Sequence, residues 1–174
     1  GEYRAHALGL LADQEGCGIP AVGCFQVGIE PEHFLVTRTE DGIRVWDPNN
    51  VDSLEKPCYD FKGISNVMDY LQDMMSAMGR LGWGVYQADH EDANGQYEIN
   101  FVYDDALVTA DRYTFFKMMT SQYAQKYGAI ATHMAKPFAD RTGSGGHIHF
   151  HVEDAETEDN LFLDEDDPQD LGLS

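Results

Sequence analysis

Positive charge is what this chain has least of. Lys occurs five times in 174 residues, and Lys and Arg together number 11 against 31 Asp and Glu, for a formal net charge of −20. No basic stripe is available to neutralise a phosphate backbone or an anionic bilayer, which argues against nucleic acid and membrane surfaces as partners. Long apolar runs are missing too. No stretch approaches the roughly 18 consecutive apolar residues of a membrane span. The opening Gly1-Glu2-Tyr3-Arg4 has neither the basic nor the apolar region of a secretory leader. Cysteine is confined to Cys17, Cys24 and Cys58, an odd and irregular set that makes no disulfide framework. These absences predict a reduced, cytoplasmic setting. Linkers and repeats are lacking as well, so the chain reads as one unit.

What the chain has in excess is acid. The stretch 153–170 holds ten Asp and Glu and no basic residue, and the remainder still carries 21 acidic against 11 basic side chains. An acidic tail alone does not account for this. The balance predicts a salt-adapted, halophilic surface, whose self-repulsion abundant counterions would screen.

Apolar spacing predicts three helices. Residues 2–14 are rich in Ala and Leu; 64–81 place Val67, Tyr70, Leu71, Met74, Met75 and Met78 at three- and four-residue intervals behind Ser65 as cap. Residues 109–127 follow the same rule with Tyr113, Phe116, Met119 and Tyr123, stopping at Gly128. Strands are predicted at 24–37, 44–46, 84–89, 96–103, 129–133 and 146–152, with Asp41-Gly42 marking a hairpin. Several strands are adjacent in sequence, and no Gly-rich dinucleotide fingerprint follows any of them. The fold class is α+β: a curved, largely antiparallel sheet backed by helices.

Alternation along strands locates the chemistry. In residues 147–152, His147, His149 and His151 share one face while Ile148, Phe150 and Val152 form the other, read as core. A flexible Thr142-Gly143-Ser144-Gly145-Gly146 run leads into this strand. Glu30 and Glu32 share a face on an earlier strand, and like charges side by side are destabilising unless something positive lies between them. The Asn94-Gly95 turn brings Glu91 back beside Glu98, whose strand keeps Gln96, Glu98 and Asn100 on one face and Tyr97, Ile99 and Phe101 on the other. Carboxylates with one imidazole form a hard, oxygen-rich set suited to Mg²⁺ or Mn²⁺. The histidine row alone would suit zinc.

Four motifs now stand in order: Gly28-x-Glu30-x-Glu32, His90-Glu91 with Gly95-Gln96-x-Glu98, Lys136-Pro137-Phe138, and Gly143-x-Gly145-x-His147-x-His149. Together they resemble the catalytic domain of glutamine synthetases. Residues 86–96, Lys56-Pro57-Cys58-Tyr59-Asp60 and the closing Leu171-Gly172-Leu173-Ser174 look most like the gamma-glutamylmethylamide synthetase, or type III, branch. The resemblance implies a partial catalytic domain over 1–174, without the family's N-terminal β-grasp domain and the C-terminal portion of the catalytic domain. It implies ATP-dependent ligation of ammonia or methylamine to the side-chain carboxylate of glutamate through γ-glutamyl phosphate, in a homo-oligomer. By the same resemblance Glu32, Glu91 and Glu98 hold one cation, and Glu30 and His147 a second, with His147 also beside the transferring phosphoryl group. His149, His151 and Tyr103 face the nucleotide, and Glu32, Thr142, Gly143 and His147 the amino-acid substrate. The chain departs from the pattern at Thr142, Gly146 and His151, where Asn, Met and Ser are common. Two rivals stand beside this reading: a remnant that binds metal or nucleotide without turnover, and a small metal hydrolase built on the histidine row.

The acidic surplus sets the first expectation. The melting temperature should rise as NaCl is raised from about 0.1 M to about 1 M, because the Debye length contracts from about 10 Å to about 3 Å. A melting temperature flat across that range would refute the salt-adapted surface.

Overall fold

A computed structural model describes residues 23–169 and 171–172. The helix predicted at 2–14 lies outside the described residues, as does Cys17. The chain divides into two compact units, one of residues Ile29–Val102 and Asp111–Ile148, the other of Gly1–Gly28, Tyr103–Ala110 and His149–Ser174. Strand β1 (Gly23–Thr39) runs through both.

In the first unit β1 pairs antiparallel with β2 (Gly42–Val45), β4 (Gln96–Phe101) and β6 (Ile130–Thr132), and β3 (Val85–His90) pairs antiparallel with β4. Helices α1 (Phe61–Ser65) and α2 (Met68–Arg80) precede β3, and α3 (Ala106–Lys126) follows β4. Alternation on β4 holds as expected: Tyr97, Ile99 and Phe101 enter the core at 0–2% exposure. There they meet Tyr70, Leu71, Met74 and Met78 from α2 and Phe116, Met119 and Ala124 from α3. Each large side chain removed from water in this way is worth about 1.5–3 kcal/mol.

The predicted hairpin closes on the pair Thr39 and Gly42, so its loop is Glu40-Asp41 and Gly42 already belongs to β2. The predicted helix 64–81 is two helices. Asp60 opens α1 by accepting a hydrogen bond from Gly63 N at 2.7 Å, and α2 begins after Val67 with no side-chain cap. Ser65 does not cap it, because its hydroxyl donates back to Lys62 O at 2.9 Å in the last turn of α1. Helix α3 starts earlier than apolar spacing indicates, since Asp105 Oδ1 accepts from Leu107 N at 2.9 Å and caps it.

In the second unit β5 (Asp104–Asp105) pairs with Gln26 and Val27 of β1, and the Thr109 hydroxyl donates to Val27 O at 2.8 Å. Strand β7 (Gly146–Asp154) also pairs with β1. Its apolar face is not the core predicted for it: Val152 is buried at 5%, but Ile148 is 62% and Phe150 57% exposed. Alternation determines which face a residue takes and says nothing about whether that face is covered. The acidic tail is turn chemistry in part. Asp154 Oδ1 accepts from Glu156 N at 2.8 Å and Thr157 N at 3.0 Å, and Asp164 and Asp167 act likewise on Asp166 N and Gln169 N. Asp reaches such amides where the longer Glu does not, which fits the excess of Asp over Glu.

Two of the histidines inside the first unit, His33 and His133, lie close together. His33 is fully buried, its Nε2 2.8 Å from Tyr70 Oη, and His133 Nε2 lies 2.9 Å from Thr120 Oγ1. Burial, reinforced by His133, pulls His33 down to about 3; burial and the Lys117 charge pull His133 down to about 4. The unfolded rings protonate near pH 6.5 and the folded rings do not. Their contribution to stability is therefore complete above that pH and is lost as pH falls toward 4. Urea unfolding should show a midpoint that drops between about pH 7 and about pH 5, with a shallower drop in His133→Asn. Equal drops in the two proteins would exclude the His133 ring as a cause.

Candidate metal centre

Strand pairing assembles the site. In the β1–β4 register Glu32 stands opposite Glu98, and in the β3–β4 register Asp89 stands opposite Glu98 from the other side. Three carboxylates thus form a row across three strands, on the face of β4 away from the core. Glu30, one pleat along β1 from Glu32, joins from the same face, and His147 at the start of β7 lies with its Nδ1 3.3 Å from Glu30 Oε2. One donor atom each from Glu30, Glu98 and His147 fall within 4.8 Å of one another, the spacing of groups that share a cation. Glu98 is buried and His147 exposed, so the cluster opens to solvent on the histidine side.

Glu91 arrives by way of the β3–β4 turn. Its backbone N–H donates to Gln96 O at 2.9 Å, and Gln96 N donates to Ala93 O at 3.0 Å. Gly95 sits at φ +73° in this turn, and a Cβ there would come within 2.6 Å of Val45 Cγ1, so both backbone and space call for glycine. Burial pushes the Glu91 carboxyl up to about 7, helped by the charges of Glu32, Glu98 and Asp89. Burial raises Glu98 as well, opposed by the Asn100 hydrogen bond and reinforced by Glu30, Glu32 and Asp89. These groups are close enough to repel, and a divalent cation would relieve that repulsion.

Neutral donors orient the carboxylates. Gln96 Nε2 donates to Glu32 Oε2 at 2.5 Å and Gly145 N donates to the same oxygen at 2.9 Å; Asn100 Nδ2 donates to Glu98 Oε1 at 2.8 Å. A Cβ on Gly145 would stand 2.8 Å from Glu32 Oε1, so a side chain there would displace that carboxylate. Gln96 also donates to Gly143 O at 2.9 Å, tying the Gly-rich loop to β4, and the Thr142 hydroxyl donates to Asp92.

Five residues singled out in the sequence, Glu30, Glu32, Glu91, Glu98 and His147, are therefore brought together within one unit. Tyr103, His149 and His151 belong to the other. There the His151 ring meets Tyr103 edge-on at 5.4 Å between centroids and its Nε2 lies 2.8 Å from Glu153 Oε1, while His149 packs beside Gly28. Tyr103 is 52% exposed and is not a core aromatic. His90 is fully buried and paired with Asp52, not turned to the cluster. Asp52 carries no sequence signal, being in an irregular stretch without periodicity. Gln96 was legible as a member of the polar face of β4 and of the Gly95-Gln96-x-Glu98 motif, but its hydrogen bond to Glu32 was not.

The carboxylate and imidazole donors of Glu30, Glu98 and His147, on the polar face of an antiparallel sheet, are a hard, oxygen-rich set that could hold a divalent cation. The glutamine synthetase catalytic-domain profile matches residues 10–174, and the chain belongs to that family. The glutamate–methylamine ligase of Methyloversatilis universalis is 44% identical over 150 residues, 86% of this chain and 33% of that one. The glutamine synthetase of Rhizobium meliloti is 45% identical over 163 residues, 94% of this chain and 35% of that one. The solved GmaS/ADP complex, in its conformation 1, aligns with a TM-score of 0.82 at 42% identity, over 97% of this chain and 36% of that chain. The chain thus spans about a third of the length of these relatives.

Glu91 supplies the test of the repulsion. Its folded pKa is raised, so without a cation its cost appears as pH climbs from about 4.5 to about 7. Glu91→Gln should melt above the parent at about pH 8, and that advantage should vanish below about pH 4.5. A gap between the two proteins that does not change with pH would show that Glu91 is not repelled.

Proposed function

We propose that the chain is the first part of the catalytic domain of a longer ATP-dependent ligase, which joins ammonia or a small amine such as methylamine to the side-chain carboxylate of glutamate. The observation that carries this reading is the convergence of Glu30, Glu32, Glu91, Glu98 and His147 on one face, in a chain of this family. The donor set fits a divalent cation. Glu32 and Glu98 each have one oxygen held by amide donors, and among the described residues Glu32 Oε1 and Glu98 Oε2 accept no hydrogen bond. Glu32, Glu91 and Glu98 would hold one Mg²⁺ or Mn²⁺, and Glu30 and His147 a second, with Glu98 near enough to both to serve either.

When bound, such cations neutralise triphosphate charge and the charge of a transferring phosphoryl group. The chain's own residues then have distinct tasks. His149, His151 and Tyr103 would contact the nucleotide. Thr142, Gly143, Glu32 and His147 would receive glutamate, whose carboxylate takes the γ-phosphoryl of ATP with release of ADP. The amine then displaces phosphate from γ-glutamyl phosphate and loses a proton. The small share of its relatives that the chain spans favours a companion reading for the isolated chain: it binds cation without turnover.

The longer protein should form amide from ATP, glutamate and either ammonia or methylamine, assayed side by side. Glu98→Gln should lower kcat by on the order of 100-fold or more. In the isolated chain Mn²⁺ should raise the melting temperature, by about 2.7 kcal/mol of added stability at 100 times Kd, and should not do so in Glu32→Gln/Glu98→Gln. Absence of ATP- and glutamate-dependent product from the longer protein would overturn the ligase reading, and a Mn²⁺ effect unchanged in the double variant would overturn the site.

A further inference from the structure

Asp52 is a buried carboxylate for which the cation cluster has no direct use. Its side chain is 1% exposed, yet it lies in the irregular stretch between β2 and α1, where backbone pairing does not require it. It accepts hydrogen bonds from three points on the connection between β3 and β4. His90 Nε2 at 3.0 Å and Gly95 N at 2.7 Å meet Oδ2, and Asn94 Nδ2 meets Oδ1 at 2.9 Å. The same Asn94 amide lies 3.1 Å from Asp52 O and 2.9 Å from Leu54 O. The other ring nitrogen of His90, Nδ1, is 2.8 Å from Glu91 O. Asp52 therefore holds the connection at its entry, through His90, and at its exit, through Gly95, and Glu91 lies between the two.

The surroundings fix His90 in turn. Its ring meets Tyr97 at 5.0 Å between centroids and packs against Gly63, where an added Cβ would come within 2.4 Å of Cδ2, so the ring's place depends on glycine there. A buried ion pair of this kind adds little net stability over well-packed apolar groups of the same volume, because desolvation offsets the attraction. What it supplies is geometry. That matters here because the residue being held is crowded by Glu32, Glu98 and Asp89, which repel it.

We infer that Asp52 is a positioning residue for the cation centre: through His90 and Gly95 it clamps the 90–95 connection so that Glu91 is held against Glu32 and Glu98. This rests on the reading of Glu91 as a cation ligand. Partners of this kind one step behind the ligands are typically worth 10- to 100-fold in metal affinity.

The test uses the 174-residue chain and Asp52→Asn, which keeps the shape and one acceptor oxygen. Mn²⁺ titration calorimetry and amide hydrogen exchange are measured on both proteins, with Glu98→Gln as the control for the metal reading. The clamp predicts Mn²⁺ affinity weaker by about 10- to 100-fold in Asp52→Asn. It also predicts faster exchange at the Glu91 and Gln96 amides relative to Ile99 in the core. His90→Gln should give the same pattern, and the double variant should lose little more than either single one, since both residues act along one path. Lower melting temperature with unchanged Mn²⁺ affinity would reduce Asp52 to a structural role and overturn the inference. If the parent takes up no Mn²⁺, or if Glu98→Gln binds it as the parent does, the metal reading fails, and with it the function assigned to the clamp. Unchanged exchange at Glu91 and Gln96 overturns the clamp whatever the metal result. Should Asp52→Asn not fold, His90→Gln carries both readouts.

Discussion

Repulsion among carboxylates held on one face of a sheet is the constraint around which the rest of this unit is arranged. Glu98 has Glu32 across from it on one side and Asp89 on the other, and ordinary strand pairing makes that crowding unavoidable once the register is set. The opposite face sets the register. Tyr97, Ile99 and Phe101 are buried at 0–2%, and a slip of one residue would turn all three outward and the carboxylates inward. Burying each of those side chains is worth about 1.5–3 kcal/mol, whereas a like-charge cross-strand pair costs about 0.2–1 kcal/mol. The apolar face prevails, and the acidic row is accepted as its consequence.

How the carboxylates are steadied matters as much as their crowding. Among the described residues, the groups that hold Glu32 and Glu98 are the amides of Gln96, Gly145 and Asn100, not ammonium or guanidinium groups. A Lys or Arg at those points would cancel the charge permanently. An amide fixes one oxygen and leaves the negative charge in place, so the pocket retains its attraction for a mobile cation.

Much of this was readable from residue order because period-two and period-3.6 patterns report directly on faces. The polar row of Gln96, Glu98 and Asn100, the pairing of Glu30 with Glu32, and the buried stripes of α2 and α3 all follow from spacing. What spacing does not carry was missed. Ile148 and Phe150 alternate like core residues, yet they stay more than half exposed, with Phe150 meeting only the edge of Phe162 among the described aromatic rings. Ser65 looks like a cap, yet its hydroxyl is engaged by the preceding turn. Asp52 lies in a stretch with no period, and its partners at 90, 94 and 95 are brought to it only by tertiary contact. In the acidic tail Asp154, Asp164 and Asp167 also close their own turns, which charge counting does not indicate.

The donors Glu30, Glu98 and His147 come from the early, middle and late parts of the chain. A site composed in this way has high contact order. The β3–β4 hairpin gathers Asp89, Glu91 and Glu98 locally, but the entropy of closing two long loops must be met before Glu30, Glu98 and His147 all become neighbours. The full three-donor set is therefore complete only once β1, β4 and β7 are together. A cation that required all three donors would have little affinity for partly folded chains, and its binding free energy would appear chiefly as slower unfolding, lengthening the lifetime of the native state and leaving the folding rate nearly unchanged.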